Sequence, residues 1–471
     1  MYVSFGPGFY NRPDYQTPER ELVNLFAEPA NRYRDDRAFV LLPTPGLDAY
    51  QTLTGGSDIR VMGHQQGVLG GDLFVLHGTR LDRINTSNVV TEVTLDSGTA
   101  LADTDEASLA FSNIDEMALT SNGRYYTYDG TTFDEVVVDA SLTFETVVYL
   151  DGRFVLIPTN ADTFYWSDVL DVDTVGALSF ATAERKGDDL MGAVVQNGEL
   201  ILFGKDVTEF WTSTGDANLP FQRRTGASIN IGLVGPRAAI NVGGSIFFVG
   251  QGTLGGNRVY AMQGYQPNPI STPAIEEAIQ SLSEANKRAI KAWSYTQDGH
   301  SFIGFFLPGV GSFVFDTATG EWHKRTSATG HICQQVQFWN GEYIVGSSQA
   351  AELFYQRKSA YDEDGGTITR ICTVFVPSNS AVPCYNFIVD AAKGVGNGDE
   401  AAPSLTLEWS DDLVSYANSR TLNLGASGAN STRIFTTRLG RMKPPGRLFK
   451  MTFTDPNLYR IDGVRINERD I

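Results

Sequence analysis

The sequence predicts an all-β protein: a β-propeller of six or seven blades with one short helical insertion, followed by a C-terminal β-sandwich-like domain. Three observations carry this. Glycine is abundant, at 48 of 471 residues, and aromatic residues make up 11%, a composition suited to many short hairpins with sheet faces to cover. A unit of turn followed by apolar strand recurs along the middle of the chain. Its copies fall at roughly 30 to 55 residues, overlapping the ~40–50 period of propeller blades.

In chain order, residues 1–50 come first, where Pro7, Pro13, Pro18, Pro29, Pro43 and Pro45 break regular structure. They read as an extended arm that joins an attachment platform. Residues 51–365 read as the propeller. Its signals are Asn122-Gly123, Asp151-Gly152, Asn197-Gly198, Gly243-Gly244 and Asn340-Gly341, each leading into an apolar run. Asn, Asp and Gly tolerate the positive φ of two-residue hairpins, so these dipeptides are turn signals with a physical cause. No single unit could bury both of its faces, and radial stacking solves that.

The helical insertion is predicted at 273–293. Thr272 stands at the N-cap with Pro273 first in the helix, Glu276 and Glu277 suit the first turn, and Ser283 starts a second short helix. Beyond the acidic, glycine-bearing run at 362–366, residues 366–471 read as a sandwich or platform domain. Its strands are expected at 367–376, 385–390, 405–410, 432–437, 448–454 and 463–466.

The net charge of −19 and pI near 4.7 exclude the basic balance of a sequence-reading DNA binder. Cys333, Cys372 and Cys384 form neither a disulfide framework nor a zinc motif, so buried free thiols and a reducing site of synthesis are expected. Residues 1–7 lack the pattern of a signal peptide, and no run approaches the ~18 apolar residues of a membrane span.

Chemical motifs are missing. His64, His77, His300, His323 and His331 have no metal-ligand spacing, and neither a nucleophile elbow nor a P-loop occurs. Asp168, Asp171 and Asp173 lack the rest of a calcium loop and read as a solvated turn. No catalytic, cofactor or metal residue is therefore assigned. Charge does concentrate in two places. Arg12, Arg20, Arg32, Arg34 and Arg37 occupy the arm, and Arg433, Arg438, Arg441, Lys443, Arg447 and Lys450 the C-terminal domain. Basic ends around an acidic centre make these candidates for docking or attachment to an acidic partner or nucleic-acid backbone.

The order of several short runs is specific in combination. They begin with Asn24-Leu25-Phe26-Ala27-Glu28, Leu42-Pro43-Thr44-Pro45-Gly46-Leu47 and Thr163-Phe164-Tyr165-Trp166-Ser167-Asp168. Glu199-Leu200-Ile201-Leu202-Phe203-Gly204, Thr208-Glu209-Phe210-Trp211 and Ile270-Ser271-Thr272-Pro273-Ala274-Ile275-Glu276 follow. Tyr295-Thr296-Gln297-Asp298-Gly299-His300, Phe306-Leu307-Pro308, Phe315-Asp316 and Glu321-Trp322-His323-Lys324-Arg325 complete the set. In this the chain resembles the packaged-DNA stabilisation proteins of short-tailed bacteriophages, which form the tail hub or nozzle; the last hundred residues resemble them less.

The resemblance implies a non-enzymatic virion protein without cofactors: six copies in a ring, an adaptor or portal-proximal ring above, and tail fibres or spikes as neighbours. It also implies a channel that retains packaged DNA and passes it at ejection without reading its sequence. Trp166, Trp211 and Trp322 become blade-packing aromatics. The acidic charge suggests a lumen wall that lets DNA slide. The competing expectation is a propeller that binds or cleaves polysaccharide, which calls for repeated aromatic platforms or an acid pair at the propeller's central funnel.

Overall fold

The computed structural model describes residues 2–3, 20–29, 39–103, 106–183, 187–252, 255–327, 333–395 and 403–468. Blades 1 to 4 are four-stranded antiparallel sheets at 59–92, 107–135, 144–182 and 190–229. Blade 5, at 231–269, has five strands because its innermost one is interrupted. Ile231–Leu233 and Ala239–Val242 both pair with Ser245–Gly252. Blade 6 spans 291–325. Blade 7 takes Cys333–Trp339, Glu342–Ser347 and Glu352–Arg357 and borrows its outermost strand, Gly46–Thr52, from the far end of the chain. The innermost strands touch in order, and that of blade 7 touches that of blade 1. The propeller has seven blades.

Turn chemistry sets the hairpins. Asp151, Asn197, Asp298 and Asn340 have φ near +50° and are each followed by a glycine with positive φ. These dipeptides join the first and second strands of blades 3, 4, 6 and 7. Second strands such as Leu73–His77 and Arg153–Pro158 are buried along their whole length, because neighbouring blades cover both faces. Aromatic side chains fill the wedges between blades: Phe164 meets Trp211 edge-on at 5.0 Å and packs with Trp166 and Phe221. Trp322 lies against Phe315 at 5.1 Å, and its indole N–H donates to the Ile270 carbonyl at 2.7 Å.

The helical insertion is two short helices, Pro273–Gln280 and Glu284–Arg288, and the chain is already a strand again from Lys291 to Gln297. Ser283 caps the second helix by accepting from the Asn286 N–H at 3.2 Å. Thr272 occupies the cap position of the first, but its hydroxyl makes no capping bond. Among the described residues no helix is long and apolar enough to cross a membrane.

The described part of residues 1–50 is woven into both bodies. Leu22–Val23 runs parallel to Glu321–Arg325, the outer strand of blade 6, and antiparallel to Arg370–Pro377. One nine-stranded sheet therefore passes from blade 6 into the sandwich, ending at Asn418–Asn423. The facing sheet is ordered Leu25–Pro29, Phe39–Pro43, Ile461–Ile466, Asn386–Ala391, Phe435–Thr437. Leu22, Leu25 and Leu41 share its core with Phe387, Phe449 and Ile461. Pro29 and Pro43 end strands here, where a missing N–H costs least.

Phe26 turns the other way, into the propeller, against Phe302 at 5.1 Å and His300 at 5.5 Å. His323 is buried against Phe26 and Phe302. Burial first, and the Arg325 charge second, push it down to about 3. The unfolded chain takes up a proton at this residue near pH 6.5 while the folded chain stays neutral. Its share of stability is therefore complete above that pH and is lost as pH falls toward 3. Going from about pH 7.5 to about pH 4.5 should cost the native protein about 2–3 kcal/mol more than it costs a His323→Leu variant. Urea midpoints at both pH values measure this, and equal losses would refute it.

Candidate functional site

Two places could carry function: the propeller axis and the free side of the sandwich. The axis is not open. Arg60, in the inner strand of blade 1, Glu106 at the start of blade 2, Glu145 of blade 3, Arg237 of blade 5, and Arg288 and Lys291 leading into blade 6 converge at one end of it. The Arg237 guanidinium donates to Glu106 at 3.1 Å and to the Arg60 carbonyl at 2.8 Å. Lys291 lies 3.7 Å from Glu106, and Gln335 of blade 7 donates to the same Arg60 carbonyl at 3.2 Å. Blades 2 and 5 are three apart in a ring of seven, so these bonds span the axis and close it.

The helical insertion serves this closure. Its second helix delivers Arg288, which donates to Glu145 at 2.6 Å. Gly235 makes room for it, since a Cβ there would stand 2.3 Å from the Arg288 carbonyl oxygen. The charges respond to the enclosure. Burial lowers Lys291 to about 8, with Arg237 adding repulsion and Glu106 opposing both. Burial works to raise Glu106, but Arg237, Lys291 and Arg60 outweigh it and hold the carboxyl below its ordinary value. Glu145 is raised, because its burial is only partly offset by Arg288.

Two carboxyls with opposite shifts in a propeller funnel are the pattern a glycosidase would show. Here each is already committed to cations. Glu145 has both oxygens on the Arg288 guanidinium. The pair lies where an acid–base site would be expected, with both carboxyls engaged by cations. Asp168, Asp171 and Asp173 form no metal cluster among the described residues. Asp171 instead accepts the backbone N–H groups of Asp173 and Thr174 at 2.9 and 3.0 Å, as a turn residue does. Cys333, Cys372 and Cys384 are buried free thiols, and burial pushes each upward.

The expected docking residues separate. Arg12, Arg32, Arg34 and Arg37 lie outside the described residues. Arg20 is exposed beside blade 6, where its charge partly offsets the burial that raises Glu321. Arg447 is only 2% exposed. Its guanidinium is held by Asp411 at 2.7 and 2.8 Å and by the Arg441 carbonyl at 3.0 Å. Lys450 is half-buried and pairs with Glu21 at 3.2 Å, fastening the arm to the sandwich. These two are internal braces, because their charge is spent within the chain and is not offered outward.

Arg433, Arg438, Arg441 and Lys443 are exposed and make no ion pair among the described residues. They flank or follow Phe435–Thr437, the strand at the edge of its sheet farthest from the propeller. Arg438 is tied to the Tyr385 carbonyl through its backbone N–H at 2.9 Å, and Arg441 donates to the Ala381 carbonyl at 2.9 Å. Between Asp412 and Asp455 the sequence holds seven Lys or Arg and no Asp or Glu, and the exposed Arg433, Arg438, Arg441 and Lys443 give this lip its positive charge. Sequence reasoning reached the lip but missed the axial cluster. The signal was available as a charged residue at or beside the start of successive inner strands, visible once the repeats are aligned blade to blade.

The chain is thus a seven-bladed propeller whose axis is bridged by charged side chains and whose rim is fused to a sandwich. The chain belongs to the family described as Bacteriophage P22 Gp10, beta-propeller, which matches residues 4–359. The tail hub protein gp10 of Salmonella phage P22 is 21% identical over 340 residues, covering 68% of this chain and 71% of that one. Among solved structures, virginiamycin B lyase from Staphylococcus aureus is 10% identical with a TM-score of 0.46, covering 66% of this chain and 98% of its own. The WD40 propeller domain of Doa1 is 11% identical with a TM-score of 0.40, covering 67% and 98%.

Proposed function

We propose that this chain is a structural subunit of a short phage tail, a hub or nozzle protein that assembles as a ring of six below the portal adaptor. The ring retains packaged DNA and conducts it during ejection. Family membership is the observation that carries this reading. The locked propeller axis supports a conduit formed between subunits, around the axis of the ring. The net charge of −19 supports a wall that does not grip DNA, which carries one negative charge per ~1.7 Å of duplex. Adaptor ring, fibres or spikes, and passing DNA are the partners, and the virion is the location. Synthesis in the reducing host cytoplasm suits three unpaired thiols.

Light scattering and negative-stain imaging of the purified protein with the adaptor ring test this. A sixfold ring with an open axis is expected. A monomer that ignores the adaptor and binds or cleaves polysaccharide overturns the reading.

A further inference from the structure

The described surface carries two exposed apolar patches set in opposite charge. One is on blades 3 and 4. Val169, Leu170, Leu178 and Leu219 are exposed there, Leu178 to 85%. They belong to neighbouring loops: the Leu170 N–H donates to the Gly152 carbonyl at 2.7 Å. Arg153 then bridges the loops by donating to the Ser167 carbonyl at 2.6 Å and the Ala217 carbonyl at 3.3 Å. The surroundings are acidic, since residues 154–183 contain Asp162, Asp168, Asp171 and Asp173 and no Lys or Arg. The other patch is the far lip of the sandwich, where Tyr385 is 65% and Phe435 39% exposed among Arg433, Arg438, Arg441 and Lys443.

Their positions matter as much as their charge. The sandwich is joined to the propeller at blades 6 and 7. Blade 3 is three places from either in a ring of seven, so it lies across the molecule from that join. Two complementary surfaces on opposite sides of one subunit make a heterologous contact, which generates a closed ring when the rotation closes. Each has apolar side chains at its centre and charge around them, the usual anatomy of an interface. We infer that neighbouring subunits of the ring meet head to tail, the positive lip of one sandwich seating on the apolar, acidic loops of blades 3 and 4 of the next. The inference rests on the ring proposed above.

The test uses two charge-reversed variants, Arg438→Glu/Lys443→Glu and Asp168→Lys/Asp173→Lys, in otherwise full-length protein on the adaptor ring. All four side chains are exposed, and circular dichroism confirms that each variant is folded. Each variant alone should lose ring formation by about tenfold or more, because like charges then face each other. An equimolar mixture should recover it, since the two alternate around an even-numbered ring with every contact again of opposite sign. Either variant forming rings as readily as wild type overturns the head-to-tail contact, and so does a mixture that fails to recover. Loss of DNA retention by Arg438→Glu/Lys443→Glu in rings that still form would overturn it in favour of a lip that contacts DNA. If wild-type protein forms no ring at all, the tail-ring reading itself falls and this contact with it.

Discussion

Leu47→Asp is expected to leave the protein without a closed propeller. Leu47 is fully buried in the borrowed strand Gly46–Thr52, packed with Cys333, Val345 and Phe354. Losing the leucine forfeits about 2–3 kcal/mol of burial, and a carboxylate in its place adds a penalty of several kcal/mol or a forced protonation. The sum approaches the ~5–15 kcal/mol that holds a typical domain folded. Loss of soluble protein and of near-ultraviolet dichroism is the expected result, while Leu47→Ile stays near wild type. A Leu47→Asp protein with the wild-type urea midpoint would show that Gly46–Thr52 is not needed for closure.

The second large effect is expected at the axis. Glu106→Ala removes the carboxylate that Arg237 and Lys291 share and leaves those cations facing each other in a largely enclosed space. Breaking a buried pair from one side typically costs ~3–5 kcal/mol. Glu106 is about a third exposed, so about 2–3 kcal/mol is expected after solvent screening. Adding Lys291→Met should recover part of that loss, because it removes one of the two stranded charges; Glu106→Gln should cost less than Glu106→Ala. Thermal and urea unfolding of wild type, Glu106→Ala, Lys291→Met and the double variant measure the coupling. Additive losses would show that Glu106 and Lys291 do not act together.

Much of the propeller was legible because its signals are local. An Asn-Gly or Asp-Gly step between apolar runs specifies a hairpin wherever it stands, and Asp151, Asn197, Asp298 and Asn340 all turn where the dipeptide predicts. Blade number was not legible, since the seventh blade is closed by 46–52, a strand that falls largely in the segment read as an arm. The prolines of the first fifty residues suggested broken structure, yet Pro29 and Pro43 sit at strand ends. Strand Asn418–Asn423 went unread because an edge strand of mostly polar residues has no buried alternation to betray it. At the candidate sites, charge counting found the positive lip of the sandwich. It could not tell exposed Arg438 from Arg447, whose burial in a strand and pairing with Asp411 depend on tertiary contacts.

The woven first segment also bears on the order of events during synthesis. Residues 20–52 leave the ribosome well before the strands they pair with, at 321–325, 352–357 and 370–377. Translation proceeds at ~5–20 residues per second, so these strands wait on the order of tens of seconds with unpaired edges. Pairings this distant in sequence are slow to form once available. The nascent chain is thus a natural client for chaperones that shield strand edges. The propeller rim and the sandwich are completed only after the strands at 352–357 and 461–466 have emerged.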